Sequence, residues 1–386
     1  MHAVVLVGGF GTRLRPLTYS IPKPLLPVAH VPMIRRLVNR LAEGGVTDVV
    51  LALGFKPEPF FAEFPNNMCG NVRMTYAVES TPLDTAGAIG FAARAAGITG
   101  TFIVANGDVM TDLNVADLVA FHRRSGAQAT ISLTPVDDPS QFGIVETDAD
   151  GRVLRFVEKP QPGETKSRFA SAGTYVMEES TLVLMPGTEK LSIERVTFPQ
   201  LVAEGGLYAM ATDDYWIDAG RPDTYVQANY VIATQLRNPS DAAVHADAVV
   251  AASAVVGDTV VSAQVNIGEN ARVNNSVILS GAVIGSGAVV DRSIVMGNVG
   301  SDAELKITPQ GYKVTSLNVA VTPRNQKSGE WSDGETMWFR CFVWGENAAS
   351  AAVAIHKGQK VFVDGRFKIE SYTSKEGELR HSFEVT

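Results

Sequence analysis

A glycine-rich turn near the start of the chain brings backbone amides to a point where they can meet an anion. Residues 4–7 form an uninterrupted apolar run, typical of a parallel strand buried on both faces, and the run stops at Gly8 and Gly9. With Gly11, these glycines permit positive φ and let N–H groups approach a ligand with no Cβ in the way, while Thr12 can hydrogen-bond within the turn. The pattern predicts an anion site at the end of the first strand.

Three cations follow this turn, and their side chains suit phosphate oxygens. Arg13 and Arg15 carry planar guanidinium groups, and Lys23 adds a point charge between Pro22 and Pro24, which limit local freedom. Neither the dinucleotide fingerprint G-x-G-x-x-G nor the loop G-x-x-x-x-G-K-[ST] occurs at this turn, which argues against NAD binding and against a Walker loop. A strand and turn with solvated basic residues is the alternative interpretation.

Two aspartates are placed to hold a divalent cation beside such phosphates. Asp108 follows the apolar run 102–105, so it is expected at the carboxyl end of a strand, and Asp218 lies between residues 215–217 and Gly220. Chemistry on a triphosphate needs a divalent metal held by carboxylates, normally Mg²⁺. Either aspartate alone is more often a cap or turn residue.

The string G-G-F-G-T-R-L-R-P-L-T at residues 8–18, followed by P-K-P, resembles the signature of the sugar-1-phosphate nucleotidyltransferases, and most closely their mannose-1-phosphate guanylyltransferase-like branch. The stretches N-G-D, V-E-K-P and W-I-D-A-G-R-P-D-T-Y resemble further parts of that family. The resemblance implies Mg²⁺-dependent transfer from a nucleoside triphosphate, with GTP and mannose-1-phosphate as the substrates of that branch. The products would be an NDP-sugar and pyrophosphate.

The resemblance also implies a role for each matching residue. Catalysis is carried over to Arg13, Lys23 and Asp108, and metal binding to Asp108 and Asp218. The implied nucleotide-binding residues are Gly8, Gly9, Gly11, Thr12, Arg13, Glu79, Thr85 and Gly87. The implied sugar-phosphate-binding residues are Glu158, Lys159, Ser171 and Gly173.

Two positions depart from the family's usual residues. Ser171 stands where the family commonly has asparagine, and because serine is shorter, sugar preference or affinity is expected to differ. Asp84 stands where the broad family often has glycine. Thr85 has a second interpretation as a helix cap, and Glu158 with Lys159 has one as a surface ion pair.

The chain divides by pattern into three regions, of which residues 1–235 alternate apolar runs with helical stretches. An α/β fold is expected there, a Rossmann-like and mostly parallel sheet with ligand loops at the carboxyl ends of its strands. The pattern predicts strands at 49–53, 101–105 and 129–133 and helices at 33–43 and 115–124.

Residues 244–296 carry an aliphatic residue about every six positions, with two slips of one residue: Val244, Val250, Val256, Ile267, Val273, Ile278, Ile284 and Val290. This period predicts a short left-handed parallel β-helix of hexapeptide repeats, with one inward side chain per face. Such repeats also occur in acyltransferases, which usually need a catalytic histidine, and only His245 lies near. A structural and oligomerising role is favoured, so a homo-oligomer is expected.

Residues 297–386 contain three of the four tryptophans and form a different module. The stretches W-F-R-C-F-V-W-G, K-G-Q-K-V-F-V-D-G-R-F and S-Y-T-S-K-E-G-E-L-R resemble the oligonucleotide-binding (OB) barrel of bacterial single-stranded DNA-binding proteins. The resemblance implies base stacking by Trp338, Trp344 and Tyr372, and it makes single-stranded DNA binding the alternative function.

This module departs from that family in charge and length. Residues 297–386 hold equal numbers of basic and acidic side chains, whereas binding of the nucleic-acid backbone depends on positive potential. One stacking position of the family falls near Asn325, which is not aromatic, and the chain ends at Thr386 where the family's last strand continues. An incomplete OB barrel is therefore expected.

The whole chain has the composition of an ordinary soluble protein. Its 386 residues suffice for two or three domains, and a net charge of −8 gives no general sign of nucleic-acid or anionic-membrane partners. Cys69 and Cys341 are too far apart in sequence for a metal or disulfide framework, so a reducing compartment, taken as the cytoplasm, is expected. No segment has the pattern of a leader or a membrane span.

Overall fold

The computed structural model describes most of the chain. It covers residues 1–9, 11–15, 17–19, 21–54, 57–234, 241–295, 298–299, 304–308, 312–321, 324–327, 330–333, 337–345, 347–355, 367–373 and 379–385. Contacts divide the chain into two compact units, Met1–Tyr225 and Val226–Thr386. No helix within the residues just given is both long and apolar enough to cross a membrane.

The first unit has the predicted α/β fold. Its strands are β1 His2–Leu6, β2 Pro27–Val28, β3 Val31–Pro32, β4 Asp48–Leu53, β5 Met68–Cys69, β6 Val72–Val78, β7 Phe102–Asn106, β8 Val109–Thr111, β9 Ala129–Pro135, β10 Gly143–Thr147, β11 Val153–Glu158, β12 Phe169–Met177, β13 Leu207–Ala211 and β14 Trp216–Asp218. Its helices are α1 Met33–Glu43, α2 Glu58–Glu63, α3 Asp84–Ala95, α4 Val115–Ser125 and α5 Phe198–Ala203, followed by α6 Pro222–Ala233, which continues into the second unit.

One sheet organises this unit, with the strand order β11-β10-β12-β7-β1-β4-β6-β5, and with β9 beside β12 and β13 beside β9. Its centre, β7-β1-β4-β6, is parallel. Helices cover both faces, since Val4 packs in one core cluster with Ile89 of α3 and Val5 packs in another with Leu37 of α1. Burial on both faces explains the continuous apolar runs, and the mostly parallel Rossmann-like sheet is confirmed.

Helix α1 shows how the apolar pattern positions these elements. Its buried residues recur at helical spacing and are Met33, Ile34, Leu37, Val38 and Leu41. Gly44 ends the helix, and a Cβ there would lie 2.5 Å from the Cβ of Val115, so α1 packs closely against the start of α4. The predicted bounds of α1 are confirmed, and α4 ends one residue beyond its prediction.

The second unit contains a parallel β-helix, as predicted. Its strands are β15 Val249–Val250, β16 Val255–Val256, β17 Val260–Val261, β18 Asn266–Ile267, β19 Arg272–Asn274, β20 Val277–Ile278, β21 Val283–Ile284, β22 Val289–Asp291 and β23 Ile294–Val295. They form three parallel sheets, β15-β18-β21, β16-β19-β22 and β17-β20-β23.

Each coil of this β-helix has three sides, and each side contributes a strand to one of the three sheets. One coil takes 17 residues, because one side is a residue shorter than the other two. Hydrogen bonds repeat at that interval along one corner: the Ser276 amide donates to Thr259 Oγ1 and the Ser293 amide donates to Ser276 Oγ, each over 17 residues. The short side carries Val261, which is buried in the core of the coils and falls outside the predicted six-residue series. The two slips in the sequence fall at this side.

The remaining strands of the second unit belong to the OB-like module. They are β24 Asn298–Val299, β25 Glu304–Ile307, β26 Lys313–Val321, β27 Arg324–Lys327, β28 Glu330–Asp333, β29 Met337–Trp344, β30 Phe367–Thr373 and β31 Leu379–Val385, with helix α7 Asn347–Ala354. The sheet order is β24-β26-β29-β31-β30, with β25 beside β26, and β27 pairs with β28. Leu317, Val319 and Cys341 form a small buried core.

Ile355, directly after α7, joins the two parts of the second unit. Its side chain packs against the core of the coils and also against the Leu317, Val319 and Cys341 cluster. Val353, two residues earlier, is 63% exposed and so offers a matched position for comparison.

Replacing Ile355 with Asp should destabilise the second unit by about 2 kcal/mol, because a charge would lie between two apolar clusters. The change Val353→Asp should alter stability by less than about 0.5 kcal/mol. Scanning calorimetry of the full chain measures both, and equal shifts in the two variants would contradict the packing role of Ile355.

Candidate functional site

Four parallel strands end together at one edge of the sheet, and this edge positions the candidate site. β1, β4, β6 and β7 are followed there by Gly8, Gly54, Glu79 and Asp108. Hydrogen bonds extend the ladder past the strands, from the Glu79 amide to the Leu53 carbonyl at 2.8 Å among others. Ligands of open parallel sheets bind outside this edge.

The glycine-rich turn lies at this edge with its backbone close to a neighbouring strand. A Cβ on Gly8 would lie 3.4 Å from the Gly54 amide nitrogen, and one on Gly54 would lie 3.3 Å from the Gly8 carbonyl oxygen. Gly11 has φ of +58°, and its carbonyl accepts a 2.8 Å hydrogen bond from the Thr18 hydroxyl. The turn therefore needs glycine for backbone conformation at Gly11, while the Gly8 backbone lies in van der Waals contact with Gly54.

The other predicted residues of the turn face solvent. Gly9, Thr12 and Arg13 are exposed, and Thr12 with Arg13 lies in a short 3₁₀ turn that begins after Gly11. The Arg13 guanidinium is thus accessible to an anion at this edge of the sheet.

A short two-stranded ladder brings the two predicted metal-binding aspartates together. β14 pairs with β8 in antiparallel fashion, and Asp218 lies opposite Val109, the residue after Asp108. The ladder joins segments separated by more than 100 positions, which is why spacing along the sequence gives no sign of the pairing.

Lys23 lies between these aspartates. Its Nζ is 2.5 Å from Asp108 Oδ2 and 3.0 Å from Asp218 Oδ1, and the lysine side chain is only 12% exposed. Burial by itself would lower the pKa of Lys23, but the two carboxylates outweigh it and raise the pKa above its usual 10.5. The ammonium therefore stays charged and bridges the pair.

The donor set fits a hard divalent cation. Asp108 and Asp218 place carboxylate oxygens around one positive charge, and oxygen ligands from one or two carboxylates, completed by phosphates and water, are what Mg²⁺ uses at phosphoryl-transfer sites. Within the part of the chain that the structure describes, no group of three or more His, Cys, Asp or Glu side chains could hold a metal. Asp108 and Asp218 stay the predicted ligands of such a cation.

Glu79 lies at the same edge and is partly withdrawn from water. Its Oε2 accepts a 3.0 Å hydrogen bond from the Leu83 amide, which ties the loop between β6 and α3 to the strand end. Burial raises the pKa of Glu79, and the Leu83 hydrogen bond offsets part of that rise.

The structure places Thr85 and Gly87 against the segment 189–194. The Thr85 hydroxyl donates to Glu194 Oε2 at 2.9 Å and accepts from the Ile193 amide at 2.8 Å. A Cβ on Gly87 would lie 2.5 Å from the Glu189 carbonyl oxygen. Their predicted contact with a nucleotide stays a prediction.

Helix α3 begins at Asp84, so the interpretation of Thr85 as its cap is wrong. Asp84 Oδ1 accepts from the Thr85 amide at 2.9 Å, and Asp84 has φ of +59°. Aspartate tolerates this left-handed conformation better than most residues, which explains its presence where glycine is usual.

The predicted sugar-phosphate residues form a second group around Tyr175. Ser171 Oγ lies 3.5 Å from the Tyr175 hydroxyl, and Lys159 Nζ lies 3.7 Å from Glu158 Oε1. Burial, then the charge of Glu194, raises the pKa of Tyr175, and the same two causes raise the pKa of Glu158. The tyrosine therefore keeps its proton, and its hydroxyl lies near the carboxylates of Glu158 and Glu194.

Gly173 lies on the boundary between the two groups. It has φ of +76°, and a Cβ there would lie 2.6 Å from the side-chain nitrogen of Asn106, at the end of β7. Its role is to let β12 pass close to the strand that leads to Asp108.

Trp216 connects the two groups, a role that the sequence pattern does not predict. Its indole N–H donates to the Ala172 carbonyl at 2.8 Å, and its ring meets Phe142 edge-on at 5.6 Å. The Phe142 carbonyl in turn accepts from the Lys159 amide at 3.0 Å. Trp216 begins the stretch W-I-D-A-G-R-P-D-T-Y that resembles the family and that contains Asp218, so this stretch already pointed to the tryptophan.

In the second unit, the candidate stacking residues lie on two strands. Trp344 is 50% exposed at the end of β29, while Trp338 on β29 and Tyr372 on β30 have side chains outside the described part of the structure. The exposed Arg340 places its guanidinium 5.6 Å from the centre of the Phe342 ring.

Family comparisons match three segments of the chain. Residues 2–235 match the family described as Nucleotidyl transferase, residues 239–323 match the GMPPB C-terminal domain, and residues 290–386 match the Single-strand binding protein family. The resemblances at both ends of the chain are thereby confirmed at the level of the family.

Among curated proteins, the chain is 40% identical over 233 residues to mannose-1-phosphate guanylyltransferase of Mycobacterium tuberculosis, covering 59% of this chain and 64% of that protein. It is 39% identical over 248 residues to probable mannose-1-phosphate guanylyltransferase 1 of Oryza sativa, covering 63% and 67%. The chain therefore spans about two thirds of the length of these relatives.

Among solved structures, the fold is similar to HddC of Yersinia pseudotuberculosis complexed with GMP-PN. The TM-score is 0.52 at 29% identity, and the match covers 60% of this chain and 99% of that one. Since the matched family model spans residues 2–235, more than half of the 386, the chain belongs to the nucleotidyl transferase family.

Proposed function

We propose that the chain transfers a nucleotidyl group from a nucleoside triphosphate to a sugar-1-phosphate and releases pyrophosphate. The observation that carries this proposal is the contact of Lys23 with both Asp108 and Asp218, at the edge where the glycine-rich turn ends β1. In a member of the nucleotidyl transferase family, this arrangement supplies the charges that a triphosphate and its cation require.

In the proposed reaction, a phosphate oxygen of the sugar-1-phosphate bonds to the α-phosphorus while the bond from that phosphorus to pyrophosphate breaks. The attacking oxygen is already ionised, so no residue has to remove a proton and no covalent enzyme intermediate forms. Catalysis then consists of positioning and charge neutralisation. Arg13 binds the departing pyrophosphate. Lys23 binds the triphosphate, and Lys159 binds the phosphate of the sugar.

Asp108 and Asp218 hold Mg²⁺ in this proposal. When bound, the cation neutralises charge that develops on the phosphoryl oxygens. Both carboxylates are a third or more exposed, so they can exchange the Lys23 contact for another cation without unfolding of the site.

GTP is the proposed nucleotide, and Glu79 supports it on chemical grounds. A carboxylate offers two acceptor oxygens, and the Watson–Crick edge of guanine presents adjacent N–H donors at N1 and N2. Uracil and thymine place a single N–H between two carbonyls, so they match a carboxylate less well. The relatives named as guanylyltransferases and the GMP-PN complex of HddC agree with this choice.

Mannose-1-phosphate is the proposed acceptor, again because the relatives carry that name. Glu158 and the Ser171 hydroxyl provide acceptors and a donor for sugar hydroxyls, the buried Tyr175 hydroxyl lies behind Ser171, and Lys159 provides a cation for the phosphate. The Ser171 hydroxyl lies 3.5 Å from the Tyr175 hydroxyl. Because serine is shorter than asparagine, its side chain reaches less far toward a sugar.

The change Asp108→Asn should lower pyrophosphate release by roughly a hundredfold or more, because one charged metal-binding oxygen is lost. The melting temperature should change little, since the Asp108 side chain is 33% exposed. A coupled pyrophosphate assay with GTP and mannose-1-phosphate measures the rate.

The matched control is Asp112→Asn, which removes an equally accessible carboxylate that pairs with Arg40 at 3.4 Å. This variant should keep most of its activity. Near-normal turnover by Asp108→Asn would rule out the metal assignment.

Exchanging Glu79 for Gln should lower kcat/KM for GTP by about tenfold or more, because one acceptor oxygen becomes a donor facing the guanine donors. The glutamine oxygen can still accept from the Leu83 amide, so the loop should keep its shape. Steady-state rates with GTP and UTP test this, and an equal loss for both nucleotides would contradict base recognition by Glu79.

A second activity, weak binding of single-stranded DNA, is favoured by the exposed aromatic group on β29. Trp344 is 50% exposed, and Arg340 and Phe342 precede it at alternate positions, so the three share one face of the strand. Stacking on aromatic side chains and an arginine charge are the means by which proteins hold single strands. The match to the Single-strand binding protein family supports this proposal.

Oligo-dT should quench the tryptophan fluorescence of the chain at moderate salt. The change Trp344→Ala should weaken this binding by about fivefold or more, because a stacking contact is lost. Val353→Ala on α7 is the control, since it removes another exposed apolar side chain. Absence of quenching at micromolar protein would exclude the activity.

A further inference from the structure

The Lys23 ammonium occupies the place between the two carboxylates where the proposed function needs a divalent cation. Its contacts of 2.5 Å to Asp108 and 3.0 Å to Asp218 are those of charge-assisted hydrogen bonds. One ammonium balances only part of the charge of two carboxylates. The free site therefore keeps one uncompensated carboxylate charge before any metal arrives.

The backbone around Lys23 is held firmly, so any movement must come from the side chain. The Leu25 amide donates to the Pro22 carbonyl at 2.9 Å and the Leu26 amide to the Lys23 carbonyl at 3.0 Å. A Cβ on Gly11 would lie 3.2 Å from the Lys23 Cβ. Residues on both sides of Lys23 are thus fixed.

The tip of the lysine has room on one side only because Gly220 lacks a side chain. A Cβ there would lie 2.5 Å from Lys23 Nζ and 2.7 Å from Asp218 Oδ1. The flexible stem of lysine lets the ammonium leave this place while Cα stays. Gly220 therefore leaves space for the Lys23–Asp218 ion pair but does not prevent the ammonium from moving away.

We propose that Lys23 keeps the cation site closed until a triphosphate draws its ammonium away, so that metal and nucleotide bind as a unit. This inference rests on the proposed function, since it concerns the same carboxylates. A divalent cation entering beside the ammonium would meet a like charge at short range. A triphosphate removes that conflict because its oxygens accept the ammonium and bring further negative charge to the cation.

The contrasting account is that Lys23 is a fixed structural partner of the two aspartates. In that account the ammonium holds the loops that carry Asp108 and Asp218 together, so its removal would let the two carboxylates separate and would not improve metal binding without nucleotide. The affinity of the free protein for a divalent cation therefore separates the two accounts.

The experiment measures binding of Mn²⁺ to the full chain without nucleotide, from the loss of the free-ion electron paramagnetic resonance signal. The change Lys23→Met should tighten Mn²⁺ binding by about tenfold or more relative to the unchanged chain. Lys190→Met, which removes an exposed positive charge elsewhere, should leave the affinity unchanged. Asp108→Asn combined with Lys23→Met should abolish the gain.

Melting temperatures give a second readout, and Lys23→Gln gives a second variant if Lys23→Met folds poorly. Mn²⁺ alone should raise the melting temperature of either Lys23 variant, whereas the unchanged chain should need Mn²⁺ together with GTP. Equal or weaker Mn²⁺ binding by both Lys23 variants would overturn the proposal.

These measurements do not depend on turnover, so a failure of the role proposed for Lys23 can be distinguished from a failure of the proposed function. If no sugar-1-phosphate is converted but the Lys23 variants gain Mn²⁺ affinity, the role of Lys23 stands and the proposed reaction falls. If turnover is observed but the gain is absent, the proposed reaction stands and Lys23 is a fixed partner.

Discussion

The candidate site depends on the register of four parallel strands. Val4 of β1 lies opposite Val50 of β4 and Val104 of β7, and this register carries the strand ends to a common edge. A slip of one residue in any strand would turn its side chains to the opposite face of the sheet. The buried aliphatic side chains that oppose such a slip therefore also determine where the glycine-rich turn and Asp108 meet.

A single positive charge then joins segments that are remote in sequence. Lys23 follows β1, Asp108 follows β7 and Asp218 ends β14, and their contact holds the three loops at one point. Trp216 extends this connection to β12, where the second group of polar residues lies. The two groups of polar residues are thus linked through one short ladder, so a change in β14 would affect both.

The sequence predicts best where the feature is local. The buried run before Asp108 and the helical spacing in α1 gave correct elements because strand and helix periods are short-range properties. Asp218 was paired with Asp108 only through resemblance, since its partner strand lies over 100 residues away. The hydroxyl of Thr85 is a different case: its bonds to Glu194 and Ile193 depend on how α3 packs, which no local pattern records.

The corner of the β-helix formed by Thr259, Ser276 and Ser293 has a consequence for how this part of the chain can change in length. The Thr259 and Ser276 hydroxyls each accept a hydrogen bond from the amide of the residue 17 positions on, so successive coils are joined by the same bond. An insertion or deletion of one whole coil would restore the bond at the new junction, whereas any other length would displace the corner. Coil number is therefore free to vary in steps of one coil, and the distance between the ends of this β-helix varies with it.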